Sequence, residues 1–294
     1  GGVVPEIASR AHTAAISIAV ENAIKNAEIT LSDIDAVAVT YGAGLLGALL
    51  VGVSYAKALA YSLGIPIVPV SHIRGHLAAA YLVDKDLKPP FVSLLASGGH
   101  TAVIVVNDYD DFKILGSTLD DAVGEAFDKV ARVLGLQYPG GPNIERLARE
   151  GQNVVPMPRM LKGEGGYNFS YSGLKTAVIN YVHRCEQTGT KYNKADVACS
   201  FQHAATDILV EKAIEACGEY GLNTITIGGG VAANGFLRDN LSAACKKRGI
   251  KLVLPPKILC TDNAAMIGAE GYIQYKKGNF SDLSLNAKAR VDLG

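Results

Sequence analysis

From Ala36 to Ala80 the chain alternates short runs of β-branched and apolar residues with longer Ala- and Leu-rich runs, and this alternation restricts the fold more than any other feature. Ala36-Val37-Ala38-Val39-Thr40 reads as a strand and Leu45 to Leu63 as a helix closed by Gly64. Ile65 to Val70 reads as a second strand, and Ser71 to Ala80 as a second helix. Strand, helix, strand and helix with short links make a right-handed parallel unit, so the fold class is α/β. Ile7 to about Asn26 reads as a helix with no strand before it, the pattern of an α/β chain that has lost its first strand.

The second helix carries the most pointed chemistry. Residues four apart share one helix face, so His72 and His76 can aim both imidazoles at one point, a two-ligand metal platform. The ordinary alternative is a solvated face or a satisfied core. The platform is favoured because the pair follows the carboxyl end of a strand, where open α/β sheets hold ligands, and because Ser71 is a good N-cap. Ile73 stands where His-Glu-x-x-His would need its glutamate, so a zinc peptidase of that kind is disfavoured.

Past the charged linker Asp84 to Pro90, which marks a domain boundary, Phe91 to Ala96 and Ala102 to Val106 flank a glycine turn and read as a β-hairpin. Phe112 to Leu119 adds a strand. Helices are expected at Asp121 to Leu134, through Arg149, at Gly173 to Gln187, Lys194 to Glu219, Phe236 to Arg248 and Ala264 to about Lys277. Short strands are expected at Thr224 to Ile227 and Lys251 to Leu254. Gly151 to Ser170, rich in Gly, Pro and Lys, is expected to be a mobile surface loop.

Lys plus Arg and Asp plus Glu both number 28, so no global basicity attracts nucleic acid, and such a partner must be held by a local patch or a second protein. The five cysteines contain no C-x-x-C pair, which argues against a disulfide framework or a cysteine zinc site and fits a reducing cytosol. Apolar runs such as Gly44 to Ala60 are broken by Gly and polar residues and read as too short to span a bilayer, so a cytoplasmic protein without a membrane partner is expected.

Three glycine turns, Ser97-Gly98-Gly99, Gly140-Gly141 and Gly228-Gly229-Gly230, each follow a strand or precede a helix, a placement suited to phosphate binding. None matches Walker A or a Rossmann fingerprint. Asp262, at a helix start after a strand, is the favoured third metal ligand, with helix N-capping as its alternative role and His100 as a reserve ligand or an acid/base group. Glu125 and Asp128 suit ribose hydroxyls or a second cation, with a solvated helix face as the ordinary alternative. His12, His183 and His203 read as structural or surface residues.

Eight stretches, in order, resemble the TsaD family, the tRNA threonylcarbamoyladenosine transferases formerly called Gcp or O-sialoglycoprotein endopeptidase. They are Gly1-Gly-Val-Val-Pro-Glu6 with Ala8-Ser-Arg10, His72-Ile-Arg-Gly-His76, Ser97-Gly-Gly-His-Thr101, Gly124-Glu-Ala-Phe-Asp-Lys129, Tyr138-Pro-Gly-Gly-Pro142, Phe169-Ser-Tyr-Ser-Gly-Leu-Lys175, Gly228-Gly-Gly-Val-Ala-Ala-Asn234 and Cys260-Thr-Asp-Asn263. The resemblance implies an actin-like ATPase fold with two α/β lobes around a nucleotide cleft. Residues 1–90 and a C-terminal segment 262–294 would form the first lobe, and residues 91–261 the second. It implies one divalent metal, ferrous iron or zinc with iron favoured, on His72, His76 and Asp262. Substrate-binding positions carry over to Leu95, Ala96, Ser97, Gly98, Gly99, Asp128, Gly141 and Asn234, and to Glu145, where many members have an aspartate.

The implied reaction moves a threonylcarbamoyl group from threonylcarbamoyl-adenylate to the N6 amine of the adenosine beside the anticodon, in tRNAs reading codons that begin with A. The implied ligands are tRNA and an adenylate or ATP-type nucleotide, and the implied partner proteins are a TsaB-like paralogue and a TsaE-like ATPase. The resemblance names no general base. The family's first strand and its Glu-Thr-Ser-Cys-Asp-Asp-Thr hairpin have no counterpart here, so the sequence reads as lacking an N-terminal segment. A metallopeptidase and a non-catalytic nucleotide-binding scaffold are the competing readings; the missing glutamate counts against the first and the His-His-Asp set against the second.

Overall fold

The computed structural model describes residues 3–291, so Gly1 and Gly2 of the first resembling stretch lie outside the described residues. The chain divides into two compact units. One comprises the chain up to Leu82 with the chain from Asn263 onward, and the other is Val83–Asp262.

In the first unit, α1 (Pro5–Asn26) and α2 (Leu46–Leu63) accompany two parallel strands, β1 (Val37–Gly42) and β2 (Ile67–Ser71). Gly64 ends α2 with a φ of 66°, which a residue without Cβ adopts at no steric cost. α3 (His72–Ala78) follows β2 directly and runs into a 3₁₀ turn, Ala79–Leu82. By length and composition α2 is apolar enough to cross a bilayer, which corrects the expectation drawn from Gly44 to Ala60. Gly47, Gly52 and Ser54 interrupt the run without charging it, and Lys57 is its one ionised residue. Within the unit α2 packs on β1 and α1 and buries Val53, Ala56 and Ala60.

The second unit is built on a five-stranded sheet in the order β5-β4-β3-β6-β7. β3 (Phe91–Ala96), β4 (Thr101–Val106) and β5 (Phe112–Ser117) are antiparallel neighbours, and β6 (Thr224–Gly228) and β7 (Lys251–Val253) continue the sheet parallel to β3. Every residue of β3 and β4 is buried, as unbroken apolar runs demand of central strands covered on both faces. The helices are α4 (Val123–Val133), α5 (Gly140–Ala148), α6 (Ser172–Thr188), α7 (Lys194–Glu219), α8 (Gly235–Arg248) and the short α9 (Lys257–Cys260). α10 (Ala264–Lys276) returns to the first unit. Buried along most of its length, α7 is the central helix of the second unit, and its Phe201 meets Phe127 of α4 edge-on with ring centres 5.0 Å apart.

The segment from Gly151 to Ser170 is irregular, as expected, but it is fastened to α7. Asp196 accepts the Gln152 N–H, Ser200 Oγ accepts the Val155 N–H, Arg159 pairs with Asp207, Lys162 with Glu211, and Tyr167 donates to Glu219. Lys212, buried on α7, donates to the Gly166 carbonyl at 2.6 Å, and its burial lowers its pKa. Composition predicts loop here; these long-range bonds argue against free movement.

Candidate metal centre and glycine-turn site

His72 is the first helical residue after β2, so the chain reverses from strand to helix at the carboxyl end of a parallel strand. The rings of His72 and His76 lie with centres 4.6 Å apart and planes at 74°. His76 is buried and His72 half-buried. Ser71 occupies the N-cap position but its hydroxyl makes no cap bond, which corrects the capping role expected of it. Its side chain is instead turned inward, and Oγ is buried with no hydrogen-bond partner among the described residues.

The cap of α10 is Asn263, whose Oδ1 accepts the Met266 N–H at 2.9 Å. The alternative role of Asp262 as N-cap is thereby removed. One donor atom each from His72, His76 and Asp262 lie within 4.8 Å of one another. A ligand shell with bonds of about 2.1 Å spaces its donors by roughly 3–4 Å, so small side-chain rotations bring these three onto one ion. Two imidazoles and a carboxylate are a donor set suited to zinc or ferrous iron.

α10 packs against α3 and β2. A Cβ on Gly75 would come 2.8 Å from Ile267 Cδ1, so this glycine permits the close approach of the two helices. Arg74 Nε meets Glu270 Oε1 at 2.8 Å, and Gln274 Nε2 donates to the same oxygen at 2.7 Å. Glu270 is 2% exposed, so its charge depends on these partners. Sequence reasoning missed this pair; the signal was an arginine inside the His-Ile-Arg-Gly-His stretch, on a strongly apolar helix. Glu270→Gln is expected to lower unfolding stability by about 1–3 kcal/mol and to weaken metal binding about tenfold, read by thermal unfolding and by metal titration.

In the second unit, Leu95 of β3 is in register with Gly228 of β6, so the turns that follow both strands leave one edge of the sheet together. Gly229 has φ 93°, and a Cβ there would stand 2.4 Å from the Ala96 carbonyl oxygen. Gly124, at the start of α4, packs on Gly98 just as tightly, at 2.7 Å. In contrast, a Cβ on Gly98, Gly99 or Gly141 would meet nothing within 4 Å, which leaves their backbone open to a ligand. Leu95 and Ala96 are buried and offer the edge only backbone atoms.

The remaining predicted positions each hold a neighbouring segment. Asp128 Oδ1 accepts the Gly140 N–H at 2.7 Å and so holds the start of α5. Glu145 pairs with Arg149 at 2.7 Å and accepts the Gly235 N–H at 3.2 Å. Asn234 caps α8 through Leu237 N–H and donates to Gln202 Oε1 at 3.0 Å. A cavity of about 300 Å³ opens beside them, lined by Glu145, Arg149, Gln202, His203, Phe236 and Asp239 among others. There His203 stacks edge-on against Phe236 with ring centres 4.2 Å apart. Glu125 pairs with Lys129 at 2.9 Å on the surface of α4. His12 and His183 are exposed.

A carboxylate pair between β5 and α4 also escaped the sequence reading. Asp120 accepts from Ser170 Oγ at 2.6 Å, Ser172 Oγ at 2.5 Å and Tyr171 N at 2.8 Å, tying down the start of α6. Asp121 holds Lys129 at 2.7 Å and Lys175 at 3.2 Å. Burial alone would raise the Asp120 pKa, but the two hydroxyls and the backbone N–H outweigh it and hold the carboxyl below its ordinary 3.8. A depressed folded-state pKa means the stabilisation is present above about pH 3.8 and lost as pH falls through the folded value. The melting-temperature gap between the wild type and Asp120→Asn is therefore expected to shrink from about pH 6 to about pH 3.

The architecture and site define an α/β protein with a candidate His-His-Asp metal group and a set of glycine turns at one edge of the five-stranded sheet. A family model described as "TsaD: tRNA N6-adenosine threonylcarbamoyltransferase" matches residues 1–269. Curated enzymes named tRNA N6-adenosine threonylcarbamoyltransferase are similar over the whole chain. One from Clostridium perfringens strain 13 is 54% identical over 295 residues, and one from Clostridium botulinum strain Hall is 51% identical over the same span. The match covers 100% of this chain and 87% of each relative. The chain belongs to the TsaD family, and it is an acyltransferase of tRNA modification. Among solved structures, full-length HypF in its phosphate- and nucleotide-bound form superposes with a TM-score of 0.62 at 16% identity, covering 88% of this chain and 48% of that one. HypF of T. kodakarensis gives 0.58 at 16%, covering 80% and 40%. At such identity the likeness concerns the fold alone.

Proposed function

We propose that this chain transfers the threonylcarbamoyl group of threonylcarbamoyl-adenylate to N6 of the adenosine beside the anticodon, in tRNAs reading codons that begin with A. The observation that carries the reading is the approach of His72, His76 and Asp262 within 4.8 Å in a chain of this family. This reading carries with it an actin-like ATPase fold of two lobes, the first of residues 1–90 with 262–294 and the second of residues 91–261.

His72, His76 and Asp262 would hold the divalent metal, with ferrous iron favoured over zinc. When bound, it supplies Lewis acidity toward an acyl or phosphate oxygen. The open backbone at Gly98, Gly99 and Gly141 presents N–H groups to the adenylate phosphate, where they offset its charge as AMP departs. Asp128, Glu145 and Asn234 fix the α5 and α8 starts that border the nucleoside, and one of the edge-on pair Phe236 and His203 offers a ring face for the base. In the transfer the N6–C bond forms, the carbonyl–oxygen bond to the phosphate breaks, and N6 gives up a proton. N6 conjugated to a purine is a weak nucleophile, so catalysis is needed mainly at the carbonyl. The reaction belongs in the cytoplasm beside the TsaB-like and TsaE-like partners.

The test supplies threonylcarbamoyl-adenylate, an unmodified tRNA transcript and those partners. AMP release is expected to require tRNA and to match modified adenosine one for one. Release without tRNA, or tRNA left unmodified, would overturn the reading.

A further inference from the structure

The chain has equal numbers of acidic and basic residues, yet Asn240 to Thr261 contains no Asp or Glu and carries Lys246, Lys247, Arg248, Lys251 and Lys257. All five cations are exposed. The first three form the last turn of α8, Lys251 opens the edge strand β7, and Lys257 opens α9. Lys251 Nζ reaches Asp84 Oδ2 at 2.6 Å, which brings the segment bearing exposed Lys85 and Lys88 alongside β7.

Cations in a last helical turn complement the helix dipole, and lysines on an edge strand discourage strand pairing. Those roles account for part of the set. They do not account for its continuation past β7 to Lys257, on the short helix packed against the 3₁₀ turn Gly230–Ala233 of the glycine edge. β7 runs parallel to β6, so from Lys251 the chain climbs toward the edge where the glycine turns sit, and Lys257 follows past Pro255 and Pro256. The basic row ends five positions before Asp262.

We propose that Lys246, Lys247, Arg248, Lys251 and Lys257, flanked by Lys85 and Lys88, form the docking surface for the phosphate backbone of the tRNA. The inference rests on the reading of tRNA as the acyl acceptor and adds where that polyanion is held. A row of exposed cations without a stacking aromatic suits backbone contact rather than base reading. It gives a chain of zero net charge the local patch that RNA binding needs.

The experiment measures binding of a labelled unmodified tRNA transcript by the full chain across a salt series. Lys246→Glu/Lys247→Glu/Arg248→Glu is expected to lose at least about tenfold in affinity and to flatten the log–log salt slope by about 2. A charge-matched control, Lys25→Glu/Arg184→Glu/Lys191→Glu, is expected to change affinity by less than about threefold, and AMP binding should stay within about twofold in both. Equal losses in variant and control, or no loss in the variant, would overturn the docking surface while wild-type transfer to tRNA still stood. Binding of the basic row to anionic vesicles with no tRNA affinity would overturn it in favour of a membrane. Absence of wild-type tRNA binding and transfer would overturn the underlying reading as well.

Discussion

His76→Ala is expected to lower threonylcarbamoyl transfer by at least about 100-fold while leaving a folded protein. The side chain is 3% exposed, so its removal leaves a cavity. The cost of that cavity, about 1–3 kcal/mol, is a fraction of an ordinary domain's stability. The functional cost is larger because in the proposed centre His76 would supply one of three protein donors, and a two-donor site loses most of its affinity and the orientation of what remains. Metal analysis should read less than a tenth of the wild-type content, with circular dichroism unchanged. Unaltered transfer by His76→Ala would remove the metal centre from the account.

Gly229→Ala is expected to be as damaging by a different route. At φ 93° and ψ 160° the residue occupies backbone space that essentially only glycine visits, at a cost of about 1–3 kcal/mol for anything else. The added methyl would also stand 2.4 Å from the Ala96 carbonyl oxygen and 3.0 Å from Ser97 Cβ. Backbone on β3 would have to move, and with it the Ser97-Gly98-Gly99 turn. We expect a loss of about 3 kcal/mol or more in stability and at least about tenfold weaker AMP binding. Gly230→Ala serves as the comparison: its φ is not positive and a Cβ meets nothing within 4 Å, so stability should change by less than about 1 kcal/mol.

Much of this was legible in the sequence, for local reasons. Gly64, Gly189 and Gly249 close α2, α6 and α8 with left-handed caps, and the apolar periods between such signals predict the elements well. The four-residue spacing of His72 and His76 places two rings together on any helix. What escaped depends on contacts between distant segments. No local pattern pairs Arg74 with Glu270, or Asp120 with the hydroxyls of Ser170 and Ser172. Asp262 was readable as a ligand or as a cap, and the difference rests on Asn263 taking the cap. Ser71 and α2 failed in the opposite sense, since a good capping residue turned inward and glycines that seemed to interrupt an apolar run left it apolar.

Acyl transfer to tRNA is proposed to run at a metal held by His72, His76 and Asp262. The most direct test is to strip the protein with a chelator, restore ferrous iron or zinc in steps, and follow bound metal and modified adenosine in the same samples. Transfer should be absent in stripped protein and rise with bound metal to a plateau at about one equivalent, with no recovery in His72→Ala or Asp262→Ala. Full transfer by stripped protein, or equal recovery in those variants, would contradict it.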